Sequence, residues 1–159
     1  MGRAITADYA GKLPVLLGIL KGGFVFLADL MRRIDTPCEV QFLKASSYGV
    51  GTATSGRVRL ENGLSVDIEN RHVLVVEDIL DSGVTLSYLL GHLKAQNPAS
   101  LKLCVFLDKT ERRQTPITAD YVGFACPDAF FVGYGLDYAE RYRNLPYIGV
   151  LKPEVYSDP

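Results

Sequence analysis

The fold turns on one stretch, Val75-Val-Glu-Asp-Ile-Leu-Asp-Ser-Gly-Val-Thr-Leu86. It continues an apolar run that starts at His72, and such a run without polar alternation marks a strand buried on both faces. The run ends in two adjacent acids, Glu77 and Asp78, with a third at Asp81. Leu86, Leu89, Leu90 and Leu93 then recur at helical spacing, so Ser82-Gly83-Val84-Thr85 opens a helix. Backbone amides at a helix N-terminus, a glycine that admits close approach, and the hydroxyls of Ser82 and Thr85 form a cradle for a phosphate monoester. Carboxylates beside that cradle would repel the phosphate unless they served another part of the ligand. Two adjacent acids suit a vicinal diol, because carboxylates accept hydrogen bonds and each hydroxyl donates one. The stretch therefore asks for a sugar phosphate. A helix cap alone accounts for Asp81 or Ser82, but not for Glu77-Asp78 ending an apolar strand.

Outward from this stretch, strands alternate with helices. Pro14 to Leu20 is a second buried strand, ended by Lys21-Gly22-Gly23, and Phe24 to Ile34 carries Leu27, Leu30, Met31 and Ile34 at helical spacing. Glu39 to Ala45 alternates as a half-buried strand does. Ser46 to Gly56 has no period and reads as a lid-length loop. Arg57–Leu60 and Leu64–Ile68 read as the arms of a hairpin around Glu61-Asn62-Gly63. Leu101–Asp108, Tyr121–Ala125, Phe130–Val132 and Tyr147–Leu151 complete the strands, and residues 1–6 read as a helix end leading into the first of them. This order implies an α/β fold, a mostly parallel sheet flanked by helices, with ligands at the carboxyl ends of the strands.

The 159 residues fit one domain, 48% hydrophobic and 22% charged, with a net charge of −1. That balance offers no basic face for nucleic acid or an anionic membrane. No apolar run spans a bilayer and the start lacks a signal peptide, so a cytoplasmic location is expected. Cys38, Cys104 and Cys126 lack zinc or redox spacing and read as reduced thiols, and His72 and His92 read as structural or exposed. The Gly51-to-Gly56 stretch lacks the Lys-Ser/Thr ending of a P-loop.

The Glu77-to-Thr85 segment resembles the phosphoribosyl-diphosphate motif of type I phosphoribosyltransferases. Lys21-Gly22-Gly23, Ser47-Tyr48, Asp108-Lys109-Thr110, Val122-Gly-Phe124, Phe130-to-Tyr138 and Arg143 extend the resemblance along nearly all of the chain, toward the bacterial hypoxanthine-guanine branch. It implies that family's fold, with a small hood and a flexible lid, and transfer of 5-phosphoribosyl from phosphoribosyl diphosphate to a 6-oxopurine. It also implies residue roles. Asp81 would be the general base, and Glu77 and Asp78 would hold the ribose hydroxyls. Ser82, Gly83, Val84 and Thr85 would join Asp81 around the 5′-phosphate. Lys109 would donate to purine O6, Phe130 would stack on the ring and the Phe131 backbone would read its edge. Lys21 and Gly22, after a cis peptide at Leu20-Lys21, would bind diphosphate together with Arg143, and Ser47 and Tyr48 would ride on the lid. Mg²⁺ would be held by Asp137 with Glu77 and Asp78. A homodimer or homotetramer is implied as well. The family usually carries a further strand and helix ahead of the region matching Gly2-Arg3-Ala4, which this sequence lacks. A xanthine-preferring relative is the nearest alternative; an RNA-binding regulator on the same fold would need a basic face.

Overall fold

A computed structural model describes residues 1–48, 57–61 and 67–156, with the backbone alone for 45–48 and 57–61. In chain order the elements are α1 (Gly2–Asp8), β1 (Val15–Leu20), α2 (Phe24–Met31), β2 (Glu39–Tyr48), β3 (Arg57–Glu61), β4 (His72–Leu80), α3 (Val84–Lys94), β5 (Ser100–Asp108), a 3₁₀ turn at Thr110–Arg112, β6 (Tyr121–Ala125), β7 (Phe131–Val132), β8 (Gly149–Val150) and α4 (Pro153–Tyr156). Six strands form one sheet in the order β3-β2-β1-β4-β5-β6, and β7 pairs with β8 in a small antiparallel ribbon. β2, β1, β4, β5 and β6 are mutually parallel. The chain winds outward from β1 to β2 and then from β4 to β6, so its direction of travel reverses between β1 and β4. That reversal opens a crevice at the carboxyl ends of these two strands.

The apolar runs are buried on both faces because helices cover both. Val15, Leu17 and Ile19 of β1 and Val73 and Val75 of β4 pack with Leu86, Leu89 and Leu93 of α3. Leu16, Leu74 and Val76 point the other way, onto Ile5 of α1 and Phe26, Leu27 and Leu30 of α2. Each such leucine, fully buried, contributes about 1.5–3 kcal/mol. Among the described residues no helix is long and apolar enough to cross a membrane.

β3 pairs antiparallel with β2, in register from Lys44↔Glu61 to Tyr48↔Arg57. Asn62 and Gly63 of the turn expected at Glu61-Asn62-Gly63, and most of the hairpin arm expected at 64–68, lie outside the described residues. Two expectations are corrected. β4 does not stop at the acids but runs on to Leu80, because Ile79 and Leu80 still pair with Leu107 and Asp108. α2 ends at Met31, three residues early, and closes in a turn from the Arg33 amide to the Leu30 carbonyl. Residues 49–56, most of the expected lid, and 62–66 lie outside the described residues.

Candidate active site

The crevice between β1 and β4 is closed from below by their own side chains. After β1 the Leu20-Lys21 peptide is cis, as expected from the resemblance. Gly22 then passes so close to Asp78 that a Cβ there would land on the carboxylate. On its other side the Gly22 carbonyl packs against Gly135. The chain after β1, the end of β4 and the loop after β7 therefore meet at one place.

Glu77 and Asp78 sit in the last turn of β4, half-buried. The Asp78 amide donates to Glu77 Oε1 at 3.0 Å and the Ile79 amide to Asp78 Oδ1 at 2.6 Å. Loss of water pushes the pKa of both carboxyls upward, Glu77 further because the Asp78 charge lies beside it. Adjacent like charges with poor hydration are a cost that folding alone does not explain.

These acids line a cavity of about 240 Å³ together with Ile79, Asp81, Ser82, Gly83 and Thr85. Gly83 caps α3 with φ +80°, a left-handed conformation that only glycine adopts without strain, and a Cβ there would collide with Thr115 and Ile117. The Val84 amide reaches Ser82 Oγ at 3.4 Å.

A second cavity, about 410 Å³, adjoins it and shares Ile79 and Asp81 as lining. Lys109, Phe130, Phe131, Asp128, Asp137 and Tyr156 also line it. Lys109, only 4% exposed, is the one charged residue that is fully buried among the described residues. Its ammonium lies 3.3 Å from Asp81 Oδ2 and 3.1 Å from Asp128 Oδ1. An ammonium has three N–H donors, so these two carboxylates leave one for a ligand. Arg112 stands 3.8 Å from both Asp81 and Asp128. Asp81 Oδ1 is buried and accepts no hydrogen bond from the described residues. Arg112 Nε, ion-paired with this oxygen at 3.8 Å, is too far away to donate to it, so the oxygen is left to accept from a ligand. Phe130 meets Tyr138 edge-on at 5.4 Å and stacks on Tyr156 at 5.3 Å.

Beside this cavity Arg143 bonds to Asp137 at 2.9 Å and to the Gly135 carbonyl at 2.8 Å, while Lys21 reaches Glu140 at 3.0 Å. Tyr134, Ala139, Glu140 and Tyr142 all have positive φ without being glycine. Strain gathered in one loop is characteristic of a site whose geometry is over-determined.

The structure thus brings Asp81, Glu77, Asp78, Ser82, Gly83 and Thr85 around one cavity and Lys109, Phe130, Phe131 and Asp137 around its neighbour, with Lys21, Gly22 and Arg143 alongside. Val84 begins α3 without lining either cavity, and Ser47 and Tyr48 stand at the far end of β2. Sequence reasoning missed Arg112, Arg113, Asp128 and Tyr156. The first two belong to a charge run, Asp108 to Arg113, that looks like a solvated loop. The signal was its position directly after a buried strand. Arg113 is in fact mostly buried: it ion-pairs with Asp108 and donates to the carbonyls of Leu80, Asp81 and Ile117.

Among the described residues no three His, Cys, Asp or Glu side chains gather closely enough to hold a metal unaided, and Asp137 lines the larger cavity while Glu77 and Asp78 line the smaller. Their hard carboxylate oxygens nevertheless suit Mg²⁺, which ordinarily takes one or two carboxylates and completes its shell with substrate phosphates and water.

Residues 3–139 match the phosphoribosyl transferase domain family. The chain is 51% identical over 157 residues to a hypoxanthine-guanine phosphoribosyltransferase of Bacillus subtilis, covering 99% of this chain and 87% of that protein. It is 54% identical to a bifunctional TilS/HprT protein of Listeria innocua, of whose length it spans 24%. A crystal structure of a hypoxanthine phosphoribosyltransferase from Staphylococcus aureus superposes with a TM-score of 0.94 at 50% identity, over 99% of this chain and 85% of that one. With a match over most of its length and a crevice built where such a sheet binds its ligands, the chain belongs to the phosphoribosyltransferase family.

Proposed function

We propose that this chain is a purine-salvage enzyme that transfers the 5-phosphoribosyl group from phosphoribosyl diphosphate to hypoxanthine or guanine, giving IMP or GMP and diphosphate. The observation that carries this reading is Asp81, shared by two adjoining cavities and presenting a buried carboxylate oxygen that accepts no hydrogen bond from the described residues. One cavity has the diol acceptors and phosphate cradle for the ribosyl group; the other has a buried ammonium and an aromatic ring for the base.

In the reaction the bond from C1′ to the diphosphate oxygen breaks and a bond from C1′ to a purine nitrogen forms. As that nitrogen attacks, the ring sheds the proton on N7 to Asp81 Oδ1. Lys109 donates its third N–H to O6. A 6-amino purine would confront that donor with another donor, and a buried donor left unpaired is a strong basis for rejection. Glu77 and Asp78 hold the ribose hydroxyls, and their charge offsets the positive charge that develops on the ring. The amides and hydroxyls from Asp81 to Thr85 hold the 5′-phosphate, and Lys21, Gly22 and Arg143 face the diphosphate. Phe130 stacks on the base and the Phe131 backbone reads its edge. Asp137, Glu77 and Asp78 would hold Mg²⁺, which would supply positive charge to offset that of the leaving diphosphate. The same reading has the enzyme working in the cytoplasm as a homodimer or homotetramer. The exposed Val122 and Phe124 on the edge strand β6 are a surface such an assembly would cover.

Steady-state assay of hypoxanthine, guanine, xanthine and adenine with phosphoribosyl diphosphate and Mg²⁺ tests the proposal. Turnover of hypoxanthine or guanine without adenine supports it; failure with every 6-oxopurine overturns it.

A further inference from the structure

We infer that Arg113, aided by the Gln114 backbone, is the positioning residue that aims the phosphate-binding amides. Three consecutive carbonyls in the turn from β4 to α3 are each held from one side. Arg113 Nη2 donates to the Leu80 carbonyl at 3.3 Å, Arg113 Nε to the Asp81 carbonyl at 3.0 Å, and the Gln114 amide to the Ser82 carbonyl at 2.9 Å. A trans peptide unit is planar, and its N–H points opposite to its C=O. Fixing the carbonyls of Leu80, Asp81 and Ser82 toward Arg113 therefore turns the N–H groups of Asp81, Ser82 and Gly83 the other way. All three of these residues line the 240 Å³ cavity.

Only a guanidinium has the shape for this. Its planar fork spreads donors over several acceptors at once, and here it also pairs with Asp108 at the end of β5 and with the Ile117 carbonyl at 2.6 Å. Arg113 is thus anchored to a rigid strand while gripping a turn. A lysine would keep the charge opposite Asp108 but could not span the carbonyls. Packing reinforces the grip, because Thr115, Ile117 and the Arg113 stem crowd the side of Gly83 where a Cβ would sit.

This inference rests on the transferase reading above, and the experiment separates the two. Wild-type, Arg113→Met and Arg113→Lys proteins are assayed for KM toward phosphoribosyl diphosphate and toward hypoxanthine, and for binding of ribose 5-phosphate, which carries the phosphate but no leaving group. Both variants should raise KM for phosphoribosyl diphosphate about tenfold or more, the worth of one or two hydrogen bonds to a charged group, and weaken ribose 5-phosphate in parallel. KM for hypoxanthine should move by less than about threefold, a change smaller than one ordinary hydrogen bond. If Arg113→Met does not fold, Arg113→Lys carries the same split. An inactive wild-type protein overturns the transferase reading. An active wild type whose variants lose both substrates equally, or neither, overturns the positioning role.

Discussion

Both ends of the central sheet carry charged side chains and treat them in opposite ways. At the amino end Lys102 lies 2.8 Å from Asp8 and 3.2 Å from the Tyr121 hydroxyl, which itself donates to Asp8. His72 bonds Ser100 at 2.8 Å and Asp120 takes the Leu103 amide at 2.8 Å. Opposite charges meet there. At the carboxyl end two carboxylates stand side by side, an ammonium is buried, and Asp81 keeps an oxygen that accepts no hydrogen bond from the described residues. The lesson is that charge at the amino end is arranged for the folded chain alone, whereas charge at the carboxyl end is completed by a ligand.

The sharpest way to break this contrast is at Asp81. Asp81→Asn keeps the size of the side chain and removes its basicity, so kcat should fall about 10²–10⁴-fold, with little change in nucleotide affinity. A variant with full kcat in single-turnover assay would leave Asp81 a loop residue and its buried oxygen without a role. Next comes the ammonium. Lys109→Ala should raise KM for hypoxanthine about ten- to a hundredfold, since a hydrogen bond from a charged donor is worth about 1.5–3 kcal/mol, and leave KM for phosphoribosyl diphosphate near its original value. Asp128→Asn sharpens the point: with one carboxylate partner neutralised the ammonium is less firmly aimed, so the same purine-selective loss should appear at smaller size. Equal losses toward both substrates would show that the ammonium only holds the two cavities together.

The same contrast explains what could be read from the sequence. The strand, acids and glycine of Val75 to Leu86 are contiguous, so local patterning exposed both the sheet and one cavity. The pairing of β3 with β2 was not legible, because strand partners are chosen by the whole sheet and not by local pattern. Arg113 was hidden for a similar reason: its partners Leu80 and Asp81 are more than thirty positions away, and only the fold turns a charged loop into a wall of the site. Lys109, Phe130, Asp137 and Arg143 were assigned through family resemblance, since alone each reads as a loop charge or a core aromatic.

A third way to test the contrast uses pH. Burial, then the neighbouring Asp78 charge, raises the Glu77 pKa above its ordinary 4.5. A carboxyl raised in the folded state holds its proton more firmly there than in the unfolded chain. Its ionisation therefore costs stability as pH rises above 4.5, and the cost is complete once the pH passes the folded value. Glu77→Gln should accordingly raise Tm at neutral pH while increasing KM for phosphoribosyl diphosphate, a gain in stability at the expense of function. In the wild type that KM should climb on the acid side at a pH above the ordinary carboxylate range. Thermal melts and a KM profile against pH provide both readings, and a Glu77→Gln protein less stable than wild type at neutral pH would remove the claim of unrelieved repulsion.

The smallest effect belongs to the amino end and has the opposite sign. Hydrogen bonds from Lys102, and then from Tyr121, hold the Asp8 carboxyl below its ordinary 3.8. A carboxyl lowered in the folded state contributes stability that is present above 3.8 and is lost as pH falls through the folded value. Asp8→Asn should therefore lower Tm at neutral pH, narrow that difference in acid, and do both only slightly, because an exposed pair is screened by water and salt. Both substrates should keep their KM, since Asp8 lies at the end of α1, across the sheet from either cavity. Melts of Asp8→Asn and Glu77→Gln run side by side at neutral pH should move in opposite directions. If they move the same way, the two ends of the sheet do not differ in how their charges are compensated, and the raised energy of the carboxylate pair is not a price the fold pays for its ligand.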